Sequence, residues 1–318
     1  MDVRTALKNG IAQLREGGVA SYTLAAELLL LHVLGRNRTW IYAHPEESIA
    51  GPDEQRFFEL IARRIAGEPT QHLTGKQEFW GLELEVTPDV LIPRPETEHI
   101  IEVALDRLAV REVRAGRRNK NDGAGLLIAD IGTGSGCIAI ALAKELPAAQ
   151  FVATDSSPNA LVVAGRNAVR HGVDGRIQFV EADLLDRTSV PDVTGEWLSA
   201  RVVGSEPISG DEADLPLFDV IASNPPYIGR REAESLPREV REHEPEIALY
   251  GGEEGYEFYA ALISQAAQHL KPGGILVLEL GYNSLPAVQP LLESTDWSNV
   301  GVTNDLAGIP RVIAAEKN

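Results

Sequence analysis

The feature that most constrains the fold of this chain is an alternation of short apolar runs with helical patterns after residue 125. Such short runs are typical of buried strands. Strands that alternate with helices form a mostly parallel sheet with helices on both faces. The strand candidates are 126–131, 151–154, 177–180, 218–222 and 275–280, followed by a closing hairpin of 300–303 and 312–315. We therefore expect an α/β fold on a Rossmann-like, seven-stranded sheet.

The residues before this sheet carry helical patterns. Apolar residues at helical spacing mark residues 3–14, an apolar run at 24–34 ends at Gly35, and a third pattern runs from Pro52 to Gly67. We expect a small amino-terminal helical bundle domain at residues 1–70 and a β-hairpin linker at 71–94. The α/β domain then spans 95–318, begins with a helix from Pro95 to Val110, and contains a polar insertion at 187–216.

Composition excludes several classes of protein. The single cysteine, Cys137, excludes an intramolecular disulfide framework, and the seven histidines are scattered, so we expect no metal. No apolar segment approaches the ~20 residues that span a bilayer, and we expect a soluble, cytoplasmic monomer with no membrane contact. The net charge of −18 argues against direct binding to DNA, because grip on phosphates relies on Lys and Arg.

A glycine-rich loop follows the first strand of the sheet. Its sequence is Asp130-Ile131-Gly132-Thr133-Gly134-Ser135-Gly136, and a helical pattern follows it. Glycines let a backbone pass close under a ligand, and the helix N-terminus adds free N–H groups and positive potential. A dinucleotide fingerprint would require glycine where Cys137 stands. Taken alone, the loop is also compatible with a simple tight turn.

Acidic residues close the next two strands. Asp155 ends the second strand, where a carboxylate can accept both hydroxyls of a ribose. Asp183 ends the third, where it can accept from an adenine amino group while Leu184 packs on the ring. Each acid taken separately is more often a surface or capping residue. Glycines and acids at three consecutive strand ends together predict a nucleoside-containing cofactor, bound by the loop 132–136 and by these residues.

The tetrapeptide Asn224-Pro225-Pro226-Tyr227 follows the fourth strand, at the end where α/β proteins place their chemistry. The Asn224 side-chain oxygen and the Pro225 carbonyl can together accept both hydrogens of a planar NH2 group, so that its lone pair faces an electrophile. The prolines restrict the backbone, and the Tyr227 ring can lie against a flat amide or near a sulfonium. A structural Pro-Pro turn is the alternative, but the motif favours methyl transfer to nitrogen.

Together these elements resemble the class I S-adenosylmethionine-dependent methyltransferases. Further segments are similar to the peptide chain release factor N5-glutamine methyltransferases, above all Leu91-Ile92-Pro93-Arg94-Pro95-Glu96-Thr97-Glu98. The other segments are Gly67-Glu68-Pro69, Leu73-Thr74-Gly75, Glu78-Phe79-Trp80-Gly81, Glu244-Pro245, Ala248-Leu249, Gly251-Gly252-Glu253-Glu254-Gly255 and Tyr259. The chain departs from the family in the insertion at 187–216 and at Leu184, where some relatives carry an aromatic residue.

The resemblance implies a specific reaction. This is N5-methylation, from S-adenosylmethionine, of the glutamine in the Gly-Gly-Gln motif of class I peptide chain release factors, which tunes translation termination. The glutamine amide would be held by Asn224 and Pro225 and flanked by Pro226 and Tyr227, with Asn224 also bordering the cofactor. The helical domain would dock the release factor, and residues 95–318 would form the catalytic domain.

Other functions fit parts of the pattern. A DNA amino methyltransferase could use the same tetrapeptide on an exocyclic NH2, but it would need a basic groove that the net charge disfavours. A binding module without catalysis would have lost a loop glycine or Asn224, and both are present. A nicotinamide-dependent oxidoreductase is disfavoured by Cys137 in the glycine loop.

Two basic residues, Arg230 and Arg231, follow the tetrapeptide closely. We hypothesise that they contact the protein substrate. Solvated charges at the opening of a helix are an equally open interpretation.

Overall fold

A computed structural model of the chain describes residues 1–114, 122–185 and 217–318. These residues form two compact units. The first unit comprises Met1–Gln77, Val86–Pro88 and Ser235–Glu244, and the second comprises Glu78–Glu85, Asp89–Glu234 and Pro245–Asn318. The polar insertion predicted at 187–216 lies outside the described residues.

The helices and strands are numbered in chain order. The helices are α1 (Val3–Glu16), α2 (Tyr22–Leu34), α3 (Arg38–Ala43), α4 (Gly51–Ile65), α5 (Thr70–Thr74), α6 (Glu98–Arg114), α7 (Cys137–Glu145), α8 (Pro158–His171), α9 (Arg238–His243), α10 (Glu246–Leu249), α11 (Glu257–His269) and α12 (Leu285–Val288). Short 3-10 turns occupy Pro95–Thr97, Asp174–Arg176, Arg230–Ser235 and Gln289–Leu292. The strands are β1 (Lys76–Phe79), β2 (Leu82–Glu85), β3 (Leu127–Ile131), β4 (Gln150–Asp155), β5 (Ile177–Glu181), β6 (Phe218–Ser223), β7 (Leu270–Glu279), β8 (Trp297–Asn304) and β9 (Pro310–Lys317).

The first unit is the expected helical bundle. Its core contains fully buried side chains from α1, α2 and α4, among them Leu14, Leu29 and Phe57. α1 begins where the Asp2 carboxylate accepts a hydrogen bond from the Thr5 backbone N–H (2.7 Å), which satisfies a free donor of the first turn. The three long helices match the three predicted patterns, whereas α3 and α5 are too short to show a periodicity.

The segment Ser235–Glu244 also belongs to the first unit, although it lies far along the chain. It contributes α9, whose Glu239 carboxylate pairs with the buried guanidinium of Arg64 on α4. Arg64 also donates to the Glu68 carbonyl oxygen (3.2 Å). A buried charge without a partner is costly, so this ion pair ties α9 to the bundle.

The second unit contains a seven-stranded sheet in the order β5-β4-β3-β6-β7-β9-β8. The first five strands in this order pair in parallel, and β9 runs antiparallel between β7 and β8. All seven predicted strands are present. The predicted α/β fold is therefore confirmed. A separate two-stranded sheet of β1 and β2 lies in the segment expected to form a hairpin.

Both faces of the large sheet are buried, because successive residues of its strands enter two different cores. On β6, Val220 and Ala222 face a core shared with α6 and α7, while Ile221 faces a core shared with α11. All six residues of β6 are buried. This explains why the central strands appear as continuous apolar runs instead of alternating ones.

α6 is longer than the sequence predicted. It follows the 3-10 turn Pro95–Thr97 and continues to Arg114, beyond the expected end at Val110. Its last turn is held to the sheet by two ion pairs: Arg111 lies 3.0 Å from Asp219, and Arg114 lies 3.0 Å from Glu316. Arg111 and Arg114 therefore extend the helix beyond Val110.

Within residues 1–114, 122–185 and 217–318, no helix is long and apolar enough to cross a membrane. In the same ranges, no three side chains of His, Cys, Asp or Glu gather in a group that could hold a metal ion.

Candidate active site

The register of the sheet brings the ends of four parallel strands level with one another. Ile131 at the end of β3 pairs with Thr154 on β4 and with Ser223 on β6. Ser223 in turn pairs with Leu278 on β7. The loop after β3, the last residue of β4, the tetrapeptide after β6 and the last residue of β7 therefore share one edge of the sheet, the carboxyl edge.

The loop Gly132–Gly136 lies at this edge and has an open surface. Gly132 and Gly134 have positive φ angles of 69° and 55°, and a Cβ atom added at either one would meet no atom within 4 Å. Gly136 differs, since a Cβ there would lie 2.9 Å from Ile140 and 3.2 Å from Ala164. Two glycines thus keep space free above the loop, and the third lets α7 and α8 pack closely.

A buried carboxylate, Asp130, holds this loop from below. Its Oδ2 accepts hydrogen bonds from the Thr133 hydroxyl (2.7 Å) and from the Ala139 backbone N–H in the first turn of α7 (3.0 Å). Burial raises the pKa of Asp130 to about 6, against the effect of these two hydrogen bonds, and the nearby Asp155 adds to the rise. Sequence reasoning assigned Asp130 no role, although its position at the start of the loop was visible.

Asp155 lies beside the loop at the end of β4 and is half-buried. Its Oδ2 accepts from the Gly134 backbone N–H (2.8 Å), and its Oδ1 accepts from Ser157 (2.9 Å). Burial raises the pKa of Asp155, although both backbone hydrogen bonds lower it. Each carboxylate oxygen accepts more than one hydrogen bond, so Asp155 retains capacity for a ligand while it orients the loop.

Asp183 and Leu184 follow β5 at the same edge. The Asp183 side chain is exposed, and Leu184 is buried in the core on the α11 side of the sheet. Leu184 has a φ of 59°, and its carbonyl oxygen accepts from the buried Thr154 hydroxyl (3.0 Å). This bond fixes a backbone conformation that leucine rarely adopts.

The tetrapeptide Asn224–Tyr227 begins directly after β6. The side-chain Nδ2 of Asn224 donates to Oγ1 of Thr97 (3.0 Å), from the segment similar to the release factor methyltransferases. The preceding Ser223 hydroxyl donates to the Ile131 carbonyl oxygen (2.7 Å) and ties the end of β6 to β3. With Nδ2 engaged, the Asn224 side-chain oxygen is the group left for a ligand.

The glycine-rich segment 251–255 supports this tetrapeptide from the backbone side. The Gly251 N–H donates to the Ile228 carbonyl oxygen (3.1 Å), and Ile228 N–H donates to the Leu249 carbonyl oxygen (3.0 Å). A Cβ added at Gly251 would overlap the Pro226 carbonyl oxygen. Only glycine allows this approach, which gives a physical reason for the motif.

A second buried carboxyl, Glu279 at the end of β7, was not predicted from the sequence. Its Oε1 accepts from the Tyr227 hydroxyl (3.2 Å), and its main-chain oxygen accepts from the Tyr259 hydroxyl (2.8 Å). Burial raises the pKa of Glu279 to about 7, while hydrogen bonds from Thr97 and Tyr227 lower it. The only signal in the sequence is an acidic residue closing an otherwise apolar strand.

Tyr227 is held as a neutral phenol. Burial raises its pKa above the ordinary value, and the neighbouring Glu279 raises it further. Its ring packs close to Gly281, where an added Cβ would lie 2.9 Å from the ring. Tyr227 is therefore a fixed aromatic wall and a hydrogen-bond donor, not a base.

Arg230 and Arg231 follow the tetrapeptide and lie on the surface of the second unit. Arg231 forms ion pairs with Glu253 (3.2 Å) and with Glu254. The Arg230 guanidinium lies 5.1 Å from the centroid of the Tyr250 ring. Both side chains remain mostly exposed.

The fold and the sequence comparisons define the class of protein. Residues 128–197 match the family model described as a methyltransferase domain, and residues 5–75 match the PrmC N-terminal domain. A solved structure, the hMettl16 catalytic domain in complex with the MAT2A 3'UTR hairpin 6, aligns with a TM-score of 0.50 at 19% identity. The alignment covers 80% of this chain and 81% of that chain. The chain is a methyltransferase.

Full-length relatives define the family more narrowly. A release factor glutamine methyltransferase from Koribacter versatilis (strain Ellin345) is 40% identical over 317 residues, covering 100% of this chain and 99% of that protein. One from Geobacter sulfurreducens is 39% identical, covering 94% and 91%. The chain belongs to the release factor glutamine methyltransferase family.

Proposed function

We propose that this protein transfers the methyl group of S-adenosylmethionine to the side-chain nitrogen of the glutamine in the Gly-Gly-Gln motif of class I peptide chain release factors, and so tunes translation termination. The observation that carries the proposal is the fixed orientation of Asn224. Its Nδ2 is bound to Thr97 (3.0 Å), so its oxygen is available to accept from a substrate amide.

The residues at the carboxyl edge fit the cofactor. The open space above Gly132 and Gly134 admits a ligand against the loop backbone, with Thr133, Ser135 and Gly136 completing the loop. Asp155 is proposed to bind the ribose hydroxyls, Asp183 the adenine amino group, and Leu184 the face of the ring. When bound, S-adenosylmethionine supplies an electrophilic methyl group on a sulfonium.

The tetrapeptide is proposed to bind the glutamine. The Asn224 side-chain oxygen and the Pro225 carbonyl oxygen accept the two amide hydrogens, which directs the nitrogen lone pair toward the methyl group. Pro226 restricts the backbone of these acceptors, and the Tyr227 ring flanks the amide plane. Asn224 lies next to the cofactor loop as well, because β6 pairs with β3 up to Ser223 and Ile131.

The chain needs no dedicated general base for this reaction. The bond from carbon to nitrogen forms as the bond from carbon to sulfur breaks, and the nitrogen becomes acidic only during this step. The two acceptor oxygens stabilise the growing positive charge on the NH2 group, and the proton then leaves to solvent. The raised pKa of Tyr227 supports this view, since a protonated phenol cannot take the proton.

The remaining residues have proposed roles that follow the domain division. Residues 1–70 are proposed to dock the release factor, 71–94 to act as a linker and 95–318 to catalyse. The protein is proposed to act in the cytoplasm as a monomer and without binding DNA.

The decisive experiment offers the purified protein labelled S-adenosylmethionine together with a class I release factor, DNA or RNA. We expect label only in the release factor, and mass spectrometry should place one methyl group on the Gly-Gly-Gln glutamine. A release factor with that glutamine replaced is the matched control and should stay unlabelled. Label on a nucleobase would overturn the proposal in favour of a nucleic-acid methyltransferase.

A further inference from the structure

A continuous line of polar groups connects the tetrapeptide to the buried end of β7. Asn224 Nδ2 donates to Thr97 Oγ1 (3.0 Å), and the Tyr227 hydroxyl donates to Glu279 Oε1 (3.2 Å). Thr97 and Glu279 are only 1% and 2% exposed, so water does not compete with these contacts. Glu279 follows Leu278, whose strand partner is Ser223, and it therefore lies level with Asn224.

The side-chain amide of Asn224 is oriented with its Nδ2 toward Thr97. Because Asn224 donates through Nδ2, Thr97 Oγ1 acts as the acceptor and its own hydrogen must point elsewhere. The Thr97 hydroxyl lies near enough to the Glu279 carboxyl to lower its pKa. Glu279 Oε2 has no close hydrogen-bond partner in the described part of the chain. An acceptor that is buried and unused draws the Thr97 hydrogen toward it.

This direction matters because an asparagine amide has two ends of nearly equal shape. If Thr97 presented its hydrogen to Asn224, the amide would turn over to offer its oxygen to Thr97. The NH2 group of Asn224 would then face the substrate. A donor cannot accept the hydrogens of a glutamine amide, so the turned residue would be unable to orient the nucleophile.

We propose that Glu279 is a positioning residue for methyl transfer, which draws the Thr97 hydroxyl hydrogen toward itself and thereby keeps the Asn224 side-chain oxygen directed at the substrate amide. The inference rests on the proposed function, because it assigns Asn224 the role of acceptor there. Glu279 also fixes the Tyr227 hydroxyl, so that one carboxyl orients both side chains of the tetrapeptide that meet the amide.

A carboxylate suits this position better than an amide does. In its ionised form it can accept from Thr97 and Tyr227 at the same time, because both of its oxygens are then acceptors. Glutamine has one oxygen and one NH2 group, so Glu279→Gln can serve only one of the two hydroxyls as an acceptor. The other hydroxyl then faces a donor and must reverse its hydrogen bond.

The first test measures kcat and KM for the release factor in Glu279→Gln and in Thr97→Val, which removes the hydroxyl at nearly constant volume. We expect kcat to fall about tenfold or more in both, with unchanged calorimetric affinity for S-adenosylmethionine. Thr97→Ser should restore most of the kcat lost in Thr97→Val, because it restores the hydroxyl. The matched control is Ile313→Val, which removes one buried methyl group from β9 beside β7 but none of these polar groups and should keep the wild-type kcat.

The second test separates positioning from general packing. If Glu279 acts through Asn224, Glu279→Gln should lower kcat by a clearly smaller factor in an Asn224→Ala background than in the wild-type background, where the effects through Asn224 and Tyr227 combine. An equal fold-loss in both backgrounds would overturn the inference, as would a wild-type kcat for Glu279→Gln. Absence of labelled methyl in the wild-type reaction would instead overturn the proposed function.

A third test does not depend on activity. The side-chain amide hydrogens of Asn224 should exchange slowly with solvent in the wild-type protein and in Ile313→Val, as measured by nuclear magnetic resonance. We expect exchange at least several-fold faster in Thr97→Val and Glu279→Gln. Equal exchange rates in all four proteins would show that Glu279 does not control the amide.

Discussion

The glycine loop after β3 and the tetrapeptide after β6 occupy the same edge of the sheet, and each rests on a buried carboxyl group. Asp130 binds groups three and nine positions further along the chain, Thr133 and Ala139. Glu279 binds Tyr227, 52 positions away, and interacts with Thr97 on another element. The carboxyl group under the loop thus joins parts of one strand, loop and helix, and the carboxyl group under the tetrapeptide joins separate parts of the second unit. The loop has one further support from the neighbouring strand, because Asp155 on β4 accepts from the Gly134 N–H (2.8 Å).

This difference has a mechanical meaning. The glycine loop keeps its shape as long as β3, α7 and the neighbouring strand β4 are formed. The tetrapeptide keeps its shape only when β7 and the turn Pro95–Thr97 are also in place. Orientation of the substrate amide should therefore be more sensitive to distant substitutions than binding of the cofactor.

The largest effect on methyl transfer is expected from substitution of Asn224 in the tetrapeptide. Asn224→Ala should lower kcat by roughly a hundredfold or more, because an attack geometry displaced by about 1 Å can cost that factor. The midpoint of thermal unfolding should change little, since the residue lies at the end of a strand. Steady-state kinetics and calorimetry measure the two effects. Full activity in this variant would remove Asn224 from the site.

The corresponding effect on cofactor binding is expected from substitution of Asp155 beside the glycine loop. Asp155→Ala should weaken S-adenosylmethionine binding by roughly 1.5 to 3 kcal/mol, about tenfold to a hundredfold, through loss of charge-assisted hydrogen bonds. Isothermal calorimetry gives the dissociation constant. Asp174→Ala, at the opposite end of β5, is the control and should bind like the wild type. Equal affinities for all three proteins would contradict the assignment.

The contributions of the buried carboxyl groups of Asp130 and Glu279 to stability should differ in their dependence on pH. A carboxyl group whose pKa is raised on folding adds stability below its ordinary pKa, and this contribution is lost as the pH rises through the folded value. The loss should extend to about pH 6 for Asp130 and to about pH 7 for Glu279, at up to about 1.36 kcal/mol per pH unit for each group.

Urea unfolding at several pH values measures this separation. Relative to the wild type, Glu279→Gln should flatten the decrease in unfolding free energy between pH 6 and 7, and Asp130→Asn should flatten it mainly below pH 6. Identical slopes in the wild type and both variants would show that neither carboxyl is held protonated by the fold.

The smallest effect is expected at the surface beside the tetrapeptide. Replacing both Arg230 and Arg231 by Ala should raise KM for the intact release factor a few-fold and leave cofactor affinity unchanged, because exposed charges contribute about 0–1 kcal/mol each. Replacing Arg166 and Arg170 on α8, which also form exposed ion pairs, provides the control. Unchanged KM across salt concentrations would favour simple solvation of Arg230 and Arg231.

The same contrast between local and distant contacts explains what the sequence could predict. The glycine loop and the tetrapeptide were found because each is contiguous, and the strands were found because burial on both faces makes them continuous apolar runs. Thr97 and Glu279 come together only through the sheet register and the turn before α6, which leave no spacing in the sequence. The short helices α3 and α5 and the extra turn of α6 depend on tertiary packing and ion pairs for the same reason.

Because it includes the segment Ser235–Glu244, the first unit is built from stretches that are far apart in the sequence. The chain passes between the two units at five points, so an amino-terminal fragment that ends at Gln77 would lack α9 and leave the Arg64 guanidinium without Glu239. The side of Gly67 would also be uncovered, where an added Cβ lies 3.2 Å from Arg238. We therefore expect a chimaera that takes only residues 1–77 from a relative to be less stable than one that also takes residues 235–244 from the same parent.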